Sequence, residues 1–173
     1  TIGPGAVHAL AQRLADRVDL VDAPVAGSVD AARTGGLTVL AAGTDAVLDR
    51  VAPTLETLGR VRRCGPLGAG TALKLVLNTA LVTGLAALAD TLRVADAVGV
   101  DREVALDALT AGPLGGAVAR ATKSGVSFST ALADKDLRLA LVELADRPAP
   151  VVHAAARVLD SAPDQNADIA ALI

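Results

Sequence analysis

The chain is 173 residues long, 52% hydrophobic and 20% charged, with a net charge of −3 at pH 7. That balance supports a sizeable core and excludes a disordered chain; the absence of a basic cluster argues against nucleic acid as the main partner. A single phenylalanine, Phe128, with no Trp, Tyr or Met, leaves the core to Ala, Leu and Val, which favours closely approaching helices.

One cysteine, Cys64, rules out an intramolecular disulfide and fits a reducing compartment, so a cytoplasmic location is expected. His8 and His153 stand isolated on expected helices, and no metal site is assigned. No basic-then-apolar leader pattern opens the sequence. From Leu75 to Ala89 the chain is nearly all apolar, but the run is about 15 residues where a membrane span needs ~20. It reads as a buried helix, and no membrane partner is expected.

In chain order, Pro4 opens a helix expected to end near Arg17, with Val7, Leu10, Ala11 and Leu14 on one face. Val18 to Val25 (VDLVDAPV) reads as a strand, and Leu37 to Gly43 (LTVLAAG) as a second, covered one. Thr44 or Asp45 caps a helix carrying Val47, Val51, Leu55 and Leu58; Gly59 ends it, and RVRRCG forms a short third strand. From Pro66 onward every segment has helical periodicity. One helix runs to about Val98, another from its cap Asp101 to about Ala111, and a further one follows Pro113. FSTALADKDLRLALVELADR gives another, ended before Pro148, and a helix over Val151 to Leu159 and a short terminal one complete the chain.

The fold class is therefore an α/β remnant, residues 1–65, followed by an all-α part, residues 66–173. Three strands would leave an open sheet edge. The opening TIGP reads as the loop and helix after a strand, so an N-terminal portion is expected to precede it.

Three stretches carry polar groups in places that suggest chemistry. Gly65, Gly68 and Gly70 precede Lys74; glycines at a helix entry let a ligand approach the backbone, and the positive helix end favours an anion. Lys74 and Asn78 lie at i and i+4, on one face and one turn apart. An ammonium beside an amide suits a substrate carbonyl that becomes an alkoxide; the same spacing also suits a snorkelling lysine and a satisfied buried asparagine. DAPVAGSVDAARTGG, Asp22 to Gly36, is either a loop of backbone N–H groups for a carboxylate or an ordinary turn-rich connection. In FSTALADKDL the adjacent Lys135 and Asp136 are either a functional pair or a solvated one.

Read together in this order, the stretches resemble the β-hydroxyacid dehydrogenase family, which includes 3-hydroxyisobutyrate dehydrogenase and tartronate semialdehyde reductase. TIGP resembles S-T-x-x-P, DAPVAGS resembles D-A-P-V-S-G-G, GAGTALKLVLN matches G-x-G-x-x-x-K-x-x-x-N, FSTALADKDL matches F-x-x-x-L-x-x-K-D-L, and NADIAALI resembles D-x-S-A-L. The resemblance implies the end of a Rossmann-type domain, a long interdomain helix and an all-helical 6-phosphogluconate dehydrogenase-like domain that builds a cleft and a homodimer or larger homo-oligomer. It implies NAD or NADP as cofactor and a small hydroxy acid or semialdehyde as substrate. Lys74 is then the general acid/base; Ala26, Gly27, Ser28, Asn78 and Phe128 face substrate; Thr1, Lys135 and Asp136 face the cofactor.

This sequence departs from the pattern in three places. It contains no G-x-G-x-x-G after a strand, so the leading part of the cofactor domain is expected to be absent. Ala26 stands where the family has serine, with Ser28 two residues on as a replacement hydroxyl or a sign of a different substrate. The segment from Gly112 to Phe128 is shorter than the family's. Two other readings remain open: a catalytically inactive helical dimerisation or binding module, and an imine reductase-like enzyme, against which Lys74 weighs.

Overall fold

The computed structural model describes residues 1–14, 18–123 and 127–173; the expected helix end at Arg17, and part of the Gly112–Phe128 segment, lie outside them. Helix α1 spans Pro4–Leu14 and is followed by β1 (Val25–Ala26), α2 (Val29–Arg33), β2 (Leu37–Ala42), α3 (Asp45–Glu56) and β3 (Gly59–Gly65). Then come α4 (Ala69–Val98), α5 (Arg102–Thr110), α6 (Gly115–Ala121), α7 (Thr130–Leu144), α8 (Pro150–Asp160) and a terminal 3-10 helix, Ile169–Leu172. The mix of a small sheet and a long helical series is the one the sequence predicts.

Two compact units divide the chain, Thr1–Leu77 and Asn78–Ile173. Periodicity changes at residue 65, but the first turns of α4 pack on the sheet and so belong to the first unit. There the central strand β2 pairs with β3 in parallel and with β1 antiparallel. Its unbroken apolar run explains its place: Val39, Leu40, Ala41 and Ala42 are all buried. β3 instead exposes Arg60, Arg62 and Arg63, charges that discourage pairing at a sheet edge.

The strand expected over Val18–Val25 is much shorter. Asp22 bridges Ala42 in the same register as Val25 with Val39, but the ladder breaks around Pro24. Proline has no N–H to give, although its carbonyl accepts from Leu40 N at 2.8 Å. The stretch read as a Gly/Ser loop also contains α2, whose five residues are too few for periodicity to reveal.

In the second unit, α4 contributes Val82, Leu85, Leu88 and Leu92 to a buried cluster completed by Ala117, Val118, Ala133, Leu137, Ala155, Leu159 and Ile169. Although α4 has the length and apolar content of a membrane span, its core stripe faces protein. Gly99, at φ 77°, ends it in the left-handed conformation, and Val100 N returns to Ala95 O at 2.9 Å. Asp101 caps α5 as expected, accepting from the amides of Glu103 and Val104.

Helix α7 ends on Ala145, the only non-glycine residue with positive φ among the described residues (φ 51°, ψ −123°). Glycine adopts that conformation without the Cβ penalty of about 1 kcal/mol. Ala145→Gly is therefore expected to raise Tm by about 2–4 °C in a chain of this size; an unchanged or lower Tm in a thermal melt contradicts this.

Candidate active site

The first unit holds Lys74 and the loop Ala26–Ser28. Ala26 closes β1, Gly27 follows at φ 145°, and Ser28 caps α2, its Oγ accepting from Ala31 N at 3.3 Å. The hydroxyl thus sits at the loop with its proton still available to donate. Gly27 has no room to vary: a Cβ there would lie 2.7 Å from Leu37 Cδ2 and 3.2 Å from Ala31 Cβ, at a φ that already favours glycine.

The entry to α4 works differently from the expectation that its glycines open a helix end to an anion. A Cβ on Gly70 would lie 2.2 Å from Leu40 O and 3.0 Å from Asp22 O, so this glycine lets α4 press against the sheet. The anion at the helix end is the protein's own. Asp22, 6% exposed, accepts from Thr71 N at 2.7 Å and also from the Thr71 hydroxyl. A carboxylate at the positive end of a helix satisfies an otherwise unpaired first-turn N–H and is favoured by the dipole. His8, on α1, bonds through its ring to Leu67 O at 3.0 Å and packs over Gly68. Lys74, half-buried, stands one turn beyond Thr71. Asp22, four residues before Ala26, therefore joins the lysine turn to the loop, a role no local signal betrays, because its partner lies 49 residues away.

The second unit holds Asn78, Lys135, Asp136 and Phe128. Asn78 and Asp136 are 7% and 2% exposed, and the Asn78 amide nitrogen donates to Asp136 Oδ2. Lys135 Nζ donates to the other carboxylate oxygen. A carboxylate oxygen without a proton only accepts, so the Asn78 NH₂ faces Asp136 and the Asn78 carbonyl oxygen takes no part in that bond. Asp136 is thus buried behind Asn78. Phe128 is partly buried against the helical core, two residues before α7.

Phe128 N donates to Asp168 Oδ2 at 2.8 Å, and Arg120 Nη2 reaches Asp168 Oδ1 at 2.9 Å and Oδ2 at 2.7 Å. Burial works to raise the Asp168 carboxyl, but the bonds from Arg120, Ala170 N and Phe128 N outweigh it and hold the group below the usual carboxylate value. The sequence offered this residue only as part of a terminal motif, although an Asp before IAAL is also a helix N-cap signal.

Thr1 lies exposed ahead of α1. Cys64 is partly buried and its thiol is pushed up by desolvation, the opposite of an activated nucleophile. No metal-binding cluster occurs among the described residues. An open cavity lined by Leu14, Leu20, Leu48 and Arg63 touches none of the candidate residues.

Residues 68–173 match the family model described as the NAD-binding part of NADP-dependent 3-hydroxyisobutyrate dehydrogenase, and residues 1–68 that of the NAD-binding domain of 6-phosphogluconate dehydrogenase. The chain belongs to the β-hydroxyacid dehydrogenase family. Among family relatives, it is 33% identical over 151 residues to a probable 3-hydroxyisobutyrate dehydrogenase of Mycobacterium tuberculosis, an alignment covering 78% of this chain and 50% of that protein. The mitochondrial 3-hydroxyisobutyrate dehydrogenase of Drosophila melanogaster is 28% identical over 183 residues, with 95% and 56% covered. The solved Mycobacterium tuberculosis 3-hydroxyisobutyrate dehydrogenase with L-serine superimposes at a TM-score of 0.82 and 26% identity, covering 98% of this chain and 65% of that one. Psf3, solved with NADP+ and 2-OPP, superimposes at 0.83 and 25% identity, with 99% and 65% covered. This member of the dehydrogenase family thus spans about half the length of the curated relatives it matches.

Proposed function

We propose that this chain carries the substrate-handling part of an NAD(P)-dependent β-hydroxyacid dehydrogenase acting on a small hydroxy acid or the corresponding semialdehyde. One observation carries the reading: Lys74 and Asn78 stand one turn apart on the continuous helix α4, with Asn78 held by the buried carboxylate of Asp136. In oxidation, Lys74 takes the proton of the substrate hydroxyl; in reduction it returns a proton to the carbonyl oxygen. Asn78 offers its carbonyl oxygen to the same hydroxyl or to the lysine ammonium, fixing the proton's path. The backbone at Ala26, Gly27 and Ser28, with the Ser28 hydroxyl, receives the carboxylate.

For the cofactor, NAD or NADP, Thr1, Lys135 and Asp136 are the residues assigned by the family resemblance, whereas the sequence has no G-x-G-x-x-G to hold a pyrophosphate. When bound, the nicotinamide supplies or takes the hydride; orienting the substrate and moving the proton fall to the residues named above.

The test is a substrate comparison with NADH and NADPH, followed by loss of nicotinamide absorbance. A three- or four-carbon semialdehyde acid is expected to be reduced and a cyclic imine not. Preference for the imine, or no turnover with either cofactor, overturns the reading.

A further inference from the structure

The protein has one phenylalanine, and an unusual set of bonds holds the short segment that bears it. Phe128 N donates to Asp168 Oδ2 at 2.8 Å, and Phe128 O accepts from Ile169 N at 3.0 Å. Ser129 bridges Asp168. The next two amides, at the start of α7, go to the same strap of chain: Thr130 N to Ala167 O and Ala131 N to Gln165 O, each at 2.9 Å. Asp168 is the node of this arrangement. Its two oxygens accept from Phe128 N, from Ala170 N and twice from Arg120 Nη2, joining α6, the phenylalanine segment and the terminal 3-10 helix.

The pair is well shielded, with side-chain exposures of 11% for Arg120 and 28% for Asp168, and Ile169 beside it is fully buried. A charge-assisted contact to both carboxylate oxygens fixes direction as well as distance. A hydrophobic cluster alone holds a ring by packing; here the backbone of the ring-bearing residue is also tied at its N–H and its C=O. That is more restraint than core packing requires of a residue that is only partly buried.

We propose that Asp168, with Arg120 as its counter-charge, is a positioning residue that sets Phe128 as a rigid apolar wall for the substrate and so governs selection by the size of the acid's apolar substituent. This rests on the reading of Phe128 as a substrate-facing residue. A fixed wall discriminates a methyl group by about tenfold or more, whereas a wall free to swing accommodates both forms.

Because Phe128 is unique, ring-labelled phenylalanine gives one carbon-13 signal set that needs no assignment. In the intact protein with NADP+, titration with 3-hydroxypropionate and with its methyl-branched relative 3-hydroxyisobutyrate is expected to move that signal, with Kd values about tenfold apart. In Asp168→Asn the unliganded ring signal moves toward that of free phenylalanine while the core methyl signals keep their positions, and the tenfold preference collapses to near one. Arg120→Lys, a milder change that keeps the charge but loses the two-oxygen contact, moves the ring in the same direction by less and provides the test if Asp168→Asn does not fold. A ring signal at its native position in the folded variants, or a preserved preference, overturns the positioning role. A native ring that responds to neither acid overturns the substrate-facing reading instead, and the proposal with it.

Discussion

Replacing Lys74 with alanine is expected to lower turnover of the hydroxy acid by about 10²–10⁴-fold, the range a positioned acid/base supplies. On the proposed reading KM should change far less, because the loop Ala26–Ser28 would hold the carboxylate and Asn78 the hydroxyl, while the lysine would act chiefly as charge develops on oxygen. Lys74→Arg sharpens the test. A guanidinium keeps the positive charge but does not deprotonate, so it can neither take the hydroxyl proton in oxidation nor return one to the oxygen in reduction. The arginine variant should therefore lose kcat/KM by a similar factor in both directions, because the equilibrium constant ties them together, and by an amount close to that of the alanine variant. Steady-state rates in both directions check this, and an alanine variant within about twofold of the native rate removes Lys74 from the chemistry.

The second large effect is expected on stability. Asp22→Ala leaves the Thr71 amide and hydroxyl unpaired in a buried place, with Asp22 itself only 6% exposed. Hydrogen bonds to a charged acceptor are worth about 1.5–3 kcal/mol each, and the carboxylate also faces the positive end of α4. A loss of about 3 kcal/mol, or a fall in Tm of roughly 6–12 °C, is the expected outcome. Thr71→Val keeps the amide and removes only the hydroxyl, so it should cost less. In that background, Asp22→Ala should cost less than it does alone. Denaturant melts of the two single variants and the double variant measure the coupling; additive costs contradict the pairing.

Where local pattern decides, the sequence is readable. The short, largely apolar run LTVLAA, closed by Gly43, reads as a covered strand, the 30 residues of α4 keep their helical stripe throughout, and Asp101 announces its helix because a cap acts on amides two and three residues away. The Lys74–Asn78 spacing is legible for the same reason, since a helix turns i and i+4 into neighbours. Long-range partners are not. Nothing near Asp22 signals Thr71, nothing near Arg120 signals Asp168, and the burial of Asp136 behind Asn78 depends on α7 lying against α4. Pro24 splits a strand that its apolar neighbours promised, because the missing N–H matters only once a partner strand is in place. The glycines before Lys74 misled for a related reason. Openness toward a ligand and tight contact with a sheet both require a missing Cβ, and only the Leu40 carbonyl beside Gly70 tells which applies.

The link between Asp22 and Thr71 also has a mechanical meaning. On the proposed reading, carboxylate recognition and proton transfer would hang from opposite ends of one short brace, so retuning one would disturb the other. Variants that reshape the loop at 26–28 for a new acid should pull the amine off its line of attack, and compensating changes should surface at positions 22 and 71 rather than within the loop itself.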